Sequence, residues 1–142
     1  MKRGFEDITR FMEEEIPFNK YLGIKVDELK KGFARLFIPF RKEFIGDNRR
    51  PALHGGLIST LIDTCGGTAA WTHCTKDDRI STVDIRVCYL RPGPDDDIIA
   101  EAVVQRMGNR VTVVHTRVYS SSDRETVIAE GRSVYNIRRV NS

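Results

Sequence analysis

The sequence predicts an α+β fold in which about six antiparallel strands form a sheet wrapped around one long helix. The segment from about residue 54 to 73 carries apolar side chains at helical spacing on nearly every side. Six other runs have strand-like composition, and turn residues separate them. A helix that is apolar nearly all round needs cover on more than one side, so the sheet is expected to curl around it.

An amphipathic helix is predicted over about residues 5–16, and Pro17 is expected to end it. The next stretch, YLGIKVDELKKGFARLFIPF, predicts two short strands that turn at KKG. The segment RKEFIGDNRRPA then predicts a polar loop, because Gly46, Asp47 and Asn48 are typical turn residues. One helix, two strands and a loop therefore precede the central helix.

Four strand-like runs follow the central helix. Turn chemistry connects them, with Pro92-Gly93-Pro94 after the first run, Gly108-Asn109 after the second and SSSDRE after the third. The four runs are RISTVDIRVCYL, DIIAEAVVQRM, RVTVVHTRVYS and TVIAEGRSVYNI.

The composition is that of a globular chain forming one domain over residues 1–142, since 40% of the residues are hydrophobic and 30% are charged. No run approaches the roughly 18 apolar residues of a membrane span, so no membrane association is expected. The N-terminal stretch MKRGFEDITRFMEEE is too acidic and too polar for a signal peptide. The expected location is the cytoplasm.

Charge and cysteine usage disfavour several classes of function. The net charge of +3 is small and the basic residues are scattered, which argues against nucleic acid and leaves a phosphorylated small molecule open. Cys65, Cys74 and Cys88 have no C-x-x-C spacing and are expected to be reduced core thiols. No metal site and no Cys-His nucleophile are predicted, because ligand spacing and a local catalytic signature are both missing.

One carboxylate, Asp63, lies within the apolar central helix. Helical spacing places it in the middle of a small, polar face with Gly56, Thr60, Gly67 and Ala70. Glycine inside a helix costs about 1 kcal/mol relative to alanine, which indicates that some backbone comes close here. Asp63 is then either bonded to a neighbouring threonine or exposed at a subunit contact, or it is a general base or nucleophile in a dry site.

The tripeptide His54-Gly55-Gly56 begins this helix. A helix N-terminus leaves backbone N–H groups without partners and carries partial positive charge, and glycines let a ligand oxygen approach them. An oxyanion site is therefore physically reasonable at Gly55 and Gly56. His54 itself is expected to be a helix-entry side chain that bonds to nearby backbone.

The pattern N-x5-H-G-G-x6-D, formed by Asn48, His54, Gly55, Gly56 and Asp63, resembles the hotdog-fold acyl-CoA thioesterases of the phenylacetate-pathway (PaaI) type. These belong to the 4-hydroxybenzoyl-CoA thioesterase superfamily. The resemblance extends to STVDIRVCYLRP and AEGRSVYNI and covers about residues 20–137, so only the first helix lies outside it.

This resemblance implies hydrolysis of an acyl- or aryl-acyl-coenzyme A to free acid and CoA, without a cofactor besides the coenzyme A of the substrate. Asp63 would activate the attacking water or attack the thioester itself, and the Gly55 N–H would polarise the carbonyl. Asn48 and His54 would support the geometry of their loop, and Thr82 would help to place the water. A homodimer or dimer of dimers is also implied.

Arginines would bind the phosphates of coenzyme A, because the guanidinium group can donate two parallel hydrogen bonds to a phosphate. Gly56 would lie against the substrate. Pro51 departs from the family pattern, because relatives often have glycine at this position. The candidate phosphate ligands are Arg49, Arg50, Arg106 and Arg110. Candidate residues for lining an acyl site are Trp71, Phe40, Phe44, Ile58 and Tyr89.

Gly55 and Asp63 lie about 12 Å apart along one helix. The two residues of one helix therefore cannot act together on the same thioester. A second, antiparallel copy of the helix would bring the N-terminus of each helix near Asp63 of the other. Two alternatives stay open, a non-catalytic acyl-CoA-binding hotdog protein and a hotdog hydratase or dehydratase. The latter would pair His54 with Asp63 across subunits.

Overall fold

A six-stranded antiparallel sheet wraps one long helix in the computed structural model, which describes residues 4–140. The helices are α1 (Phe5–Arg10), α2 (Pro17–Leu22) and α3 (Gly55–Trp71). The strands are β1 (Lys25–Lys30), β2 (Phe33–Ile38), β3 (Ile45–Asp47), β4 (Ala52–Leu53), β5 (Arg79–Tyr89), β6 (Ile98–Met107), β7 (Val111–Ser120) and β8 (Ala129–Arg138). The large sheet has the order β1-β2-β6-β7-β8-β5, and β3 and β4 form a separate hairpin. This confirms the predicted fold class.

Helix α3 packs against β2, β5, β6, β7 and β8, which explains why its sequence is apolar on most sides. Leu61, Ile62 and Cys65 have no exposed surface. Gly131 on β8 lies against Ile62, and a Cβ at this position would overlap the isoleucine side chain. The sheet therefore curls close to the helix, as the apolar pattern predicts. Within residues 4–140, no helix has both the length and the apolar character needed to cross a bilayer.

The N-terminal region contains two helices where the sequence predicted one. α1 runs into a π-helical turn (Phe11–Glu15), and α2 begins at Pro17. Proline was expected to stop a helix, but here it occupies the first helical position, where its missing N–H costs nothing. α2 ends at Gly23, which has φ 77°. The strand expected from Tyr21 therefore begins only at Lys25.

The segment predicted as a polar loop before α3 is more ordered than expected. A 3-10 turn (Lys42–Phe44) leads into the β3–β4 hairpin, which enters α3 directly. The His54 N–H donates to the Phe44 carbonyl at 2.8 Å. A Cβ at Gly46 would lie 2.8 Å from the His54 Cα, so the hairpin sits against the start of α3. These contacts fix the direction from which the chain enters the helix.

Strand β5 forms one edge of the sheet and pairs only with β8. Large apolar side chains are exposed to solvent on this strand and directly after it. Val83 is 63% exposed and Tyr89 51%, and Leu90, the residue after β5, is 47% exposed. The register shifts between Thr82 and Asp84, which places Val83 in a bulge. A strand of 11 residues with an open edge is a ready template for pairing with another strand.

Candidate active site

Asp63 lies at the middle of α3, on the side of the helix next to β5. The Thr82 hydroxyl donates to the Asp63 Oδ1 at 2.8 Å. The threonine on the same helix face does not bond the carboxylate, because the Thr60 hydroxyl donates to the Gly56 carbonyl instead. Asp63 is partly exposed in the single chain and not buried as the apolar sequence around it suggested. One carboxylate oxygen is thus oriented by Thr82 while the other is left for a further partner.

The backbone at Asp63 is held by a tyrosine from the sheet. The Tyr135 hydroxyl donates to the Asp63 carbonyl at 2.7 Å. Burial raises the pKa of Tyr135 well above its ordinary value, so the hydroxyl stays protonated and remains a donor. A Cβ at Gly66 would overlap this hydroxyl, which explains why glycine is needed there. Close approach to Tyr135 therefore accounts for Gly66, one of the two adjacent glycines, Gly66 and Gly67, inside α3.

A pocket of about 240 Å³ opens beside Asp63 and Thr82. Along α3 it is lined by Thr64, Gly67 and Trp71. Ile80 from β5 and Tyr135 from β8 form the side next to the sheet, and Met12, Ile16 and Asn19 close the opposite side. Ala70, expected on the same face, is instead fully buried against the core. Of the small, polar face predicted on α3, only Asp63 and Gly67 line this mainly apolar pocket.

The N-terminus of α3 is fixed by short side-chain contacts. His54 is the N-cap residue, and its Nδ1 accepts a hydrogen bond from the Gly56 N–H at 2.8 Å. This is the helix-entry contact that the sequence predicted. The Tyr89 hydroxyl donates to the Gly55 carbonyl at 2.8 Å and also bonds the Ser59 hydroxyl. Gly55 is the first residue of the helix, so its N–H has no acceptor within the helix.

The turn between β3 and β4 carries Asn48, Arg49 and Arg50, all of which are exposed. Both arginines pair with Asp47, at 3.1 Å and 3.6 Å. The Arg49 guanidinium lowers the pKa of Asp47, which stays ionised. Arg50 lines a shallow pocket together with Gly55 and Tyr89. The loop arginines are thus near the helix N-terminus, and their partner Asp47 was not foreseen.

The other two candidate arginines are at the opposite end of the molecule. Arg106 lies near the end of β6, and Arg110 precedes β7. Arg110 lines a pocket with Arg138 and Arg139, at the end of β8 where Arg138 pairs with Arg79 of β5. Tyr89, beside Gly55, is at the far end of β5. One chain therefore does not bring the two arginine pairs together.

Of the aromatic and aliphatic residues named as candidate lining, only Trp71 reaches the pocket beside Asp63. Ile58 and Tyr89 line the shallow pocket at the helix N-terminus. Phe44 belongs to the hydrophobic core, and Phe40 packs against it. Sequence reasoning missed Met12, Ile16 and Asn19, because they lie in a helical segment that the resemblance did not cover.

Of the three cysteines expected to be core thiols, Cys65 and Cys74 are buried, whereas Cys88 on β5 is exposed. Cys65 is enclosed between α3 and the sheet, where its thiol contacts the Ala34 and Ala100 carbonyls. Burial raises the pKa of Cys65 to about 12, which removes the thiolate needed for a nucleophile. No group of three or more His, Cys, Asp or Glu side chains that could hold a metal ion occurs between residues 4 and 140.

Comparison with known proteins identifies the family. The family model described as "Thioesterase superfamily" matches residues 51–127, more than half of the chain. A Halobacterium salinarum protein, provisionally named an esterase, is 35% identical over 128 residues, which cover 84% of this chain and 83% of that protein. The medium/long-chain acyl-CoA thioesterase YigI of Escherichia coli is 30% identical over 135 residues, 86% of each protein.

A solved structure from Shewanella oneidensis, described as related to the thioesterase superfamily, has a TM-score of 0.82 and 26% identity and covers 94% of each chain. The match extends over the central helix and the sheet. Membership of the phenylacetate-pathway subtype stays a prediction. The chain belongs to the thioesterase superfamily, and it is a thioester hydrolase with a hotdog fold.

Proposed function

We propose that the protein hydrolyses the thioester of an acyl-coenzyme A in the cytoplasm, at a site shared between two copies of the chain. The observation that carries this proposal is the Asp63 carboxylate, oriented by Thr82 at 2.8 Å beside a mainly apolar pocket. The named acyl-CoA thioesterase among the relatives supports the substrate class. No separate cofactor is needed, because water, a base and an oxyanion site suffice for the reaction.

In the proposed reaction, water attacks the carbonyl carbon of the thioester and gives a proton to Asp63. Thr82 donates to one Asp63 oxygen, so the other oxygen can accept from the water. The tetrahedral intermediate then collapses to the free acid, the C–S bond breaks, and the CoA thiolate leaves and takes the proton from Asp63, which returns to the carboxylate form. In the nucleophile version, Asp63 attacks the carbonyl carbon, the C–S bond breaks, and the CoA thiolate leaves and takes up a proton from solvent. Water then hydrolyses the resulting anhydride to the free acid and the Asp63 carboxylate, and the proton released returns to solvent. Both versions need an ionised Asp63.

The Gly55 N–H is the proposed donor to the developing oxyanion. It belongs to the first turn of α3, where the helix dipole favours negative charge. The hydrogen bond from Tyr89 to the Gly55 carbonyl holds the next peptide group along the chain, between Gly55 and Gly56, in place. Asn48 and His54 are the proposed positioning residues for the same end of the helix, and the contact of His54 with the Gly56 N–H supports this role for His54.

Gly55 and Asp63 are separated by about 12 Å along α3, whereas both would have to lie within about 3 Å of the reacting group. A second copy of the chain resolves this separation. The open β5 edge, with exposed Val83, Tyr89 and Leu90, supports pairing through this strand. Antiparallel pairing of two β5 strands would set the two α3 helices side by side in opposite directions.

The same pairing would bring Arg49 and Arg50 of one copy toward the end of the sheet that carries Arg106 and Arg110 of the other. The two arginine pairs lie at opposite ends of one folded chain. A two-fold axis between two β5 strands reverses the direction of the second copy, so each end of one chain faces the opposite end of the other. We propose that some of them bind the phosphates of coenzyme A.

The test of this function is thiol release from a panel of acyl-CoAs that includes short, medium, long and aryl acyl groups, read with a thiol reagent. Hydrolysis of at least one thioester is expected, with Asp63→Asn as the inactive control. Tight binding of one acyl-CoA without thiol release from any would favour the non-catalytic alternative.

Binding of coenzyme A is expected to weaken as ionic strength rises from about 0.05 M to about 0.5 M, because salt screens arginine–phosphate attraction. Isothermal titration at several salt concentrations would measure this. Pantetheine, which lacks the nucleotide and its phosphates, provides the matched control, and its Kd in the same titration should show little salt dependence. Equal salt dependence for both ligands would exclude the arginine contacts.

A further inference from the structure

The N-terminal helical segment, from α1 to α2, lies outside the part of the chain that the family model matches. It nevertheless supplies Met12, Ile16 and Asn19 to the pocket beside Asp63. Met12 is 5% exposed, so its side chain is enclosed. The segment thus adds a wall to a site whose other residues come from α3, β5 and β8.

The shape of this segment depends on its π-helical turn. The Ile16 N–H donates to the Phe11 carbonyl at 3.2 Å, five residues back, and Pro17 has no N–H to offer. The Met12 carbonyl is therefore left without a helical donor. The side-chain amide of Asn19 fills this gap, donating to the Met12 carbonyl at 3.0 Å. Asn19 is buried, and its contact fixes Met12 at the pocket wall.

Two further contacts attach the segment to the body of the protein. The Glu13 carboxylate accepts a hydrogen bond from the Val26 N–H of β1 at 2.8 Å. The Phe11 ring packs on Trp71, with ring centroids 4.9 Å apart. Trp71 is the last residue of α3, so the segment crosses the helix at its C-terminal end. Met12, next to Phe11, therefore lies at the Trp71 end of the pocket.

The pocket suits an apolar chain that begins at the thioester. Among the described residues that line it, only Asp63 is charged, and no lysine or arginine is present to meet a phosphate. Asp63 and Trp71 are eight residues apart on α3, or about 12 Å along the axis. An extended chain advances about 1.2 Å per bond, so this length holds about ten bonds.

We propose that the N-terminal helical segment forms the far wall of an acyl site, in which Met12 and Ile16 set the longest acyl chain that is hydrolysed. This proposal rests on the proposed function, since it takes Asp63 as the reacting end of the pocket. The ligand class is an apolar acyl chain of medium length, which enters toward Trp71 while coenzyme A stays outside.

Two substitutions alter the pocket in opposite directions. Ile16→Ala shortens a partly exposed side chain on the wall and lengthens the available space. Gly67→Ala adds a methyl group within the pocket lining, where the nearest heavy atom, Tyr135 Cε1, would be 3.6 Å away. Neither change is expected to prevent folding. Ile8→Val provides the matched control, because Ile8 is buried in the same segment but does not line the pocket.

The readout is the ratio of kcat/KM for dodecanoyl-CoA to that for octanoyl-CoA. Ile16→Ala is expected to raise this ratio about tenfold, and Gly67→Ala to lower it by a similar factor. Ile8→Val should leave it at the wild-type value. An unchanged ratio in both folded pocket variants would overturn the proposal, as would an equal shift in Ile8→Val.

A binding measurement separates this proposal from the proposed function. Trp71 is the only tryptophan in the chain, so its fluorescence reports on the pocket without catalysis. Titration with octanoate and dodecanoate should change the Trp71 emission, and Ile16→Ala should improve the relative affinity for dodecanoate. If no acyl-CoA is hydrolysed but Ile16→Ala improves the relative affinity for dodecanoate, the proposed function is wrong and the acyl site is supported. If neither acid changes the emission, the acyl site is wrong.

Discussion

Asp63→Asn is expected to lower the turnover number at least about 100-fold, because an amide cannot take a proton from water or attack a thioester. The substitution is nearly isosteric, and the asparagine Oδ1 can still accept the Thr82 hydrogen bond seen at 2.8 Å. The fold and the affinity for acyl-CoA should therefore be largely retained. Steady-state kinetics would give the turnover, and thermal melting and equilibrium binding would serve as controls.

Retention of full activity in a folded Asp63→Asn variant would exclude both the general-base and the nucleophile assignment. A large rise in KM with unchanged kcat would instead make Asp63 a residue that binds substrate and transition state equally. The expected pattern is a fall in kcat and kcat/KM together.

Gly66→Ala is expected to destabilise the protein by about 1–3 kcal/mol, because the new methyl group would overlap the Tyr135 hydroxyl between helix and sheet. Relief of this overlap would push Tyr135 away from the Asp63 carbonyl, which it now contacts at 2.7 Å. Turnover should fall as well, since Tyr135 lines the pocket beside Asp63. Chemical denaturation would measure the change in the free energy of unfolding.

The neighbouring Gly67→Ala substitution is the matched control for stability. Its methyl group would meet Tyr135 at an ordinary van der Waals distance of 3.6 Å. Alanine also favours the helix over glycine by about 1 kcal/mol, so this variant should be at least as stable as the wild type. Equal stability of the Gly66→Ala and Gly67→Ala variants would show that the approach of Tyr135 does not require a glycine.

The sheet and the central helix could be predicted because both depend on local periodicity. The apolar spacing of residues 54–73 agrees with α3, and four of the strand runs agree with β5 to β8. α2 could not be predicted, because Pro17 is compatible with the end of one helix and with the start of another. The β3–β4 hairpin was also missed, since its two strands are only three and two residues long.

The candidate site was only partly predictable. The resemblance indicated Asp63 and Thr82, but their contact depends on how β5 lies along α3 and not on sequence spacing. The wall formed by Met12 and Ile16 depends on the π-helical turn, which a hydrogen bond from the distant Asn19 supports. Such contacts between separate elements have no periodic signature in the sequence. The positions of the arginine pairs could not be predicted either. Both pairs lie at turns between strands, yet the β3–β4 turn and the β6–β7 turn are at opposite ends of the folded molecule.

The central claim is that each active site combines Asn48 and Gly55 of one copy with Asp63 and Thr82 of another. Asn48→Ala and Asp63→Asn proteins should each be folded and nearly inactive on their own. Unfolded together in equal amounts and refolded, they should form hybrids in which one of the two sites carries no substitution.

Thiol release by the refolded mixture is the most direct test of this claim. Half of randomly paired dimers are hybrids with one intact site each, so about a quarter of wild-type activity is expected. A mixture of Asp63→Asn with Thr82→Ala is the matched control, since both substitutions affect the same half of the site and no hybrid regains an intact one. If verified hybrids of Asn48→Ala and Asp63→Asn recover no more activity than this control, the site lies within one chain and the account is contradicted.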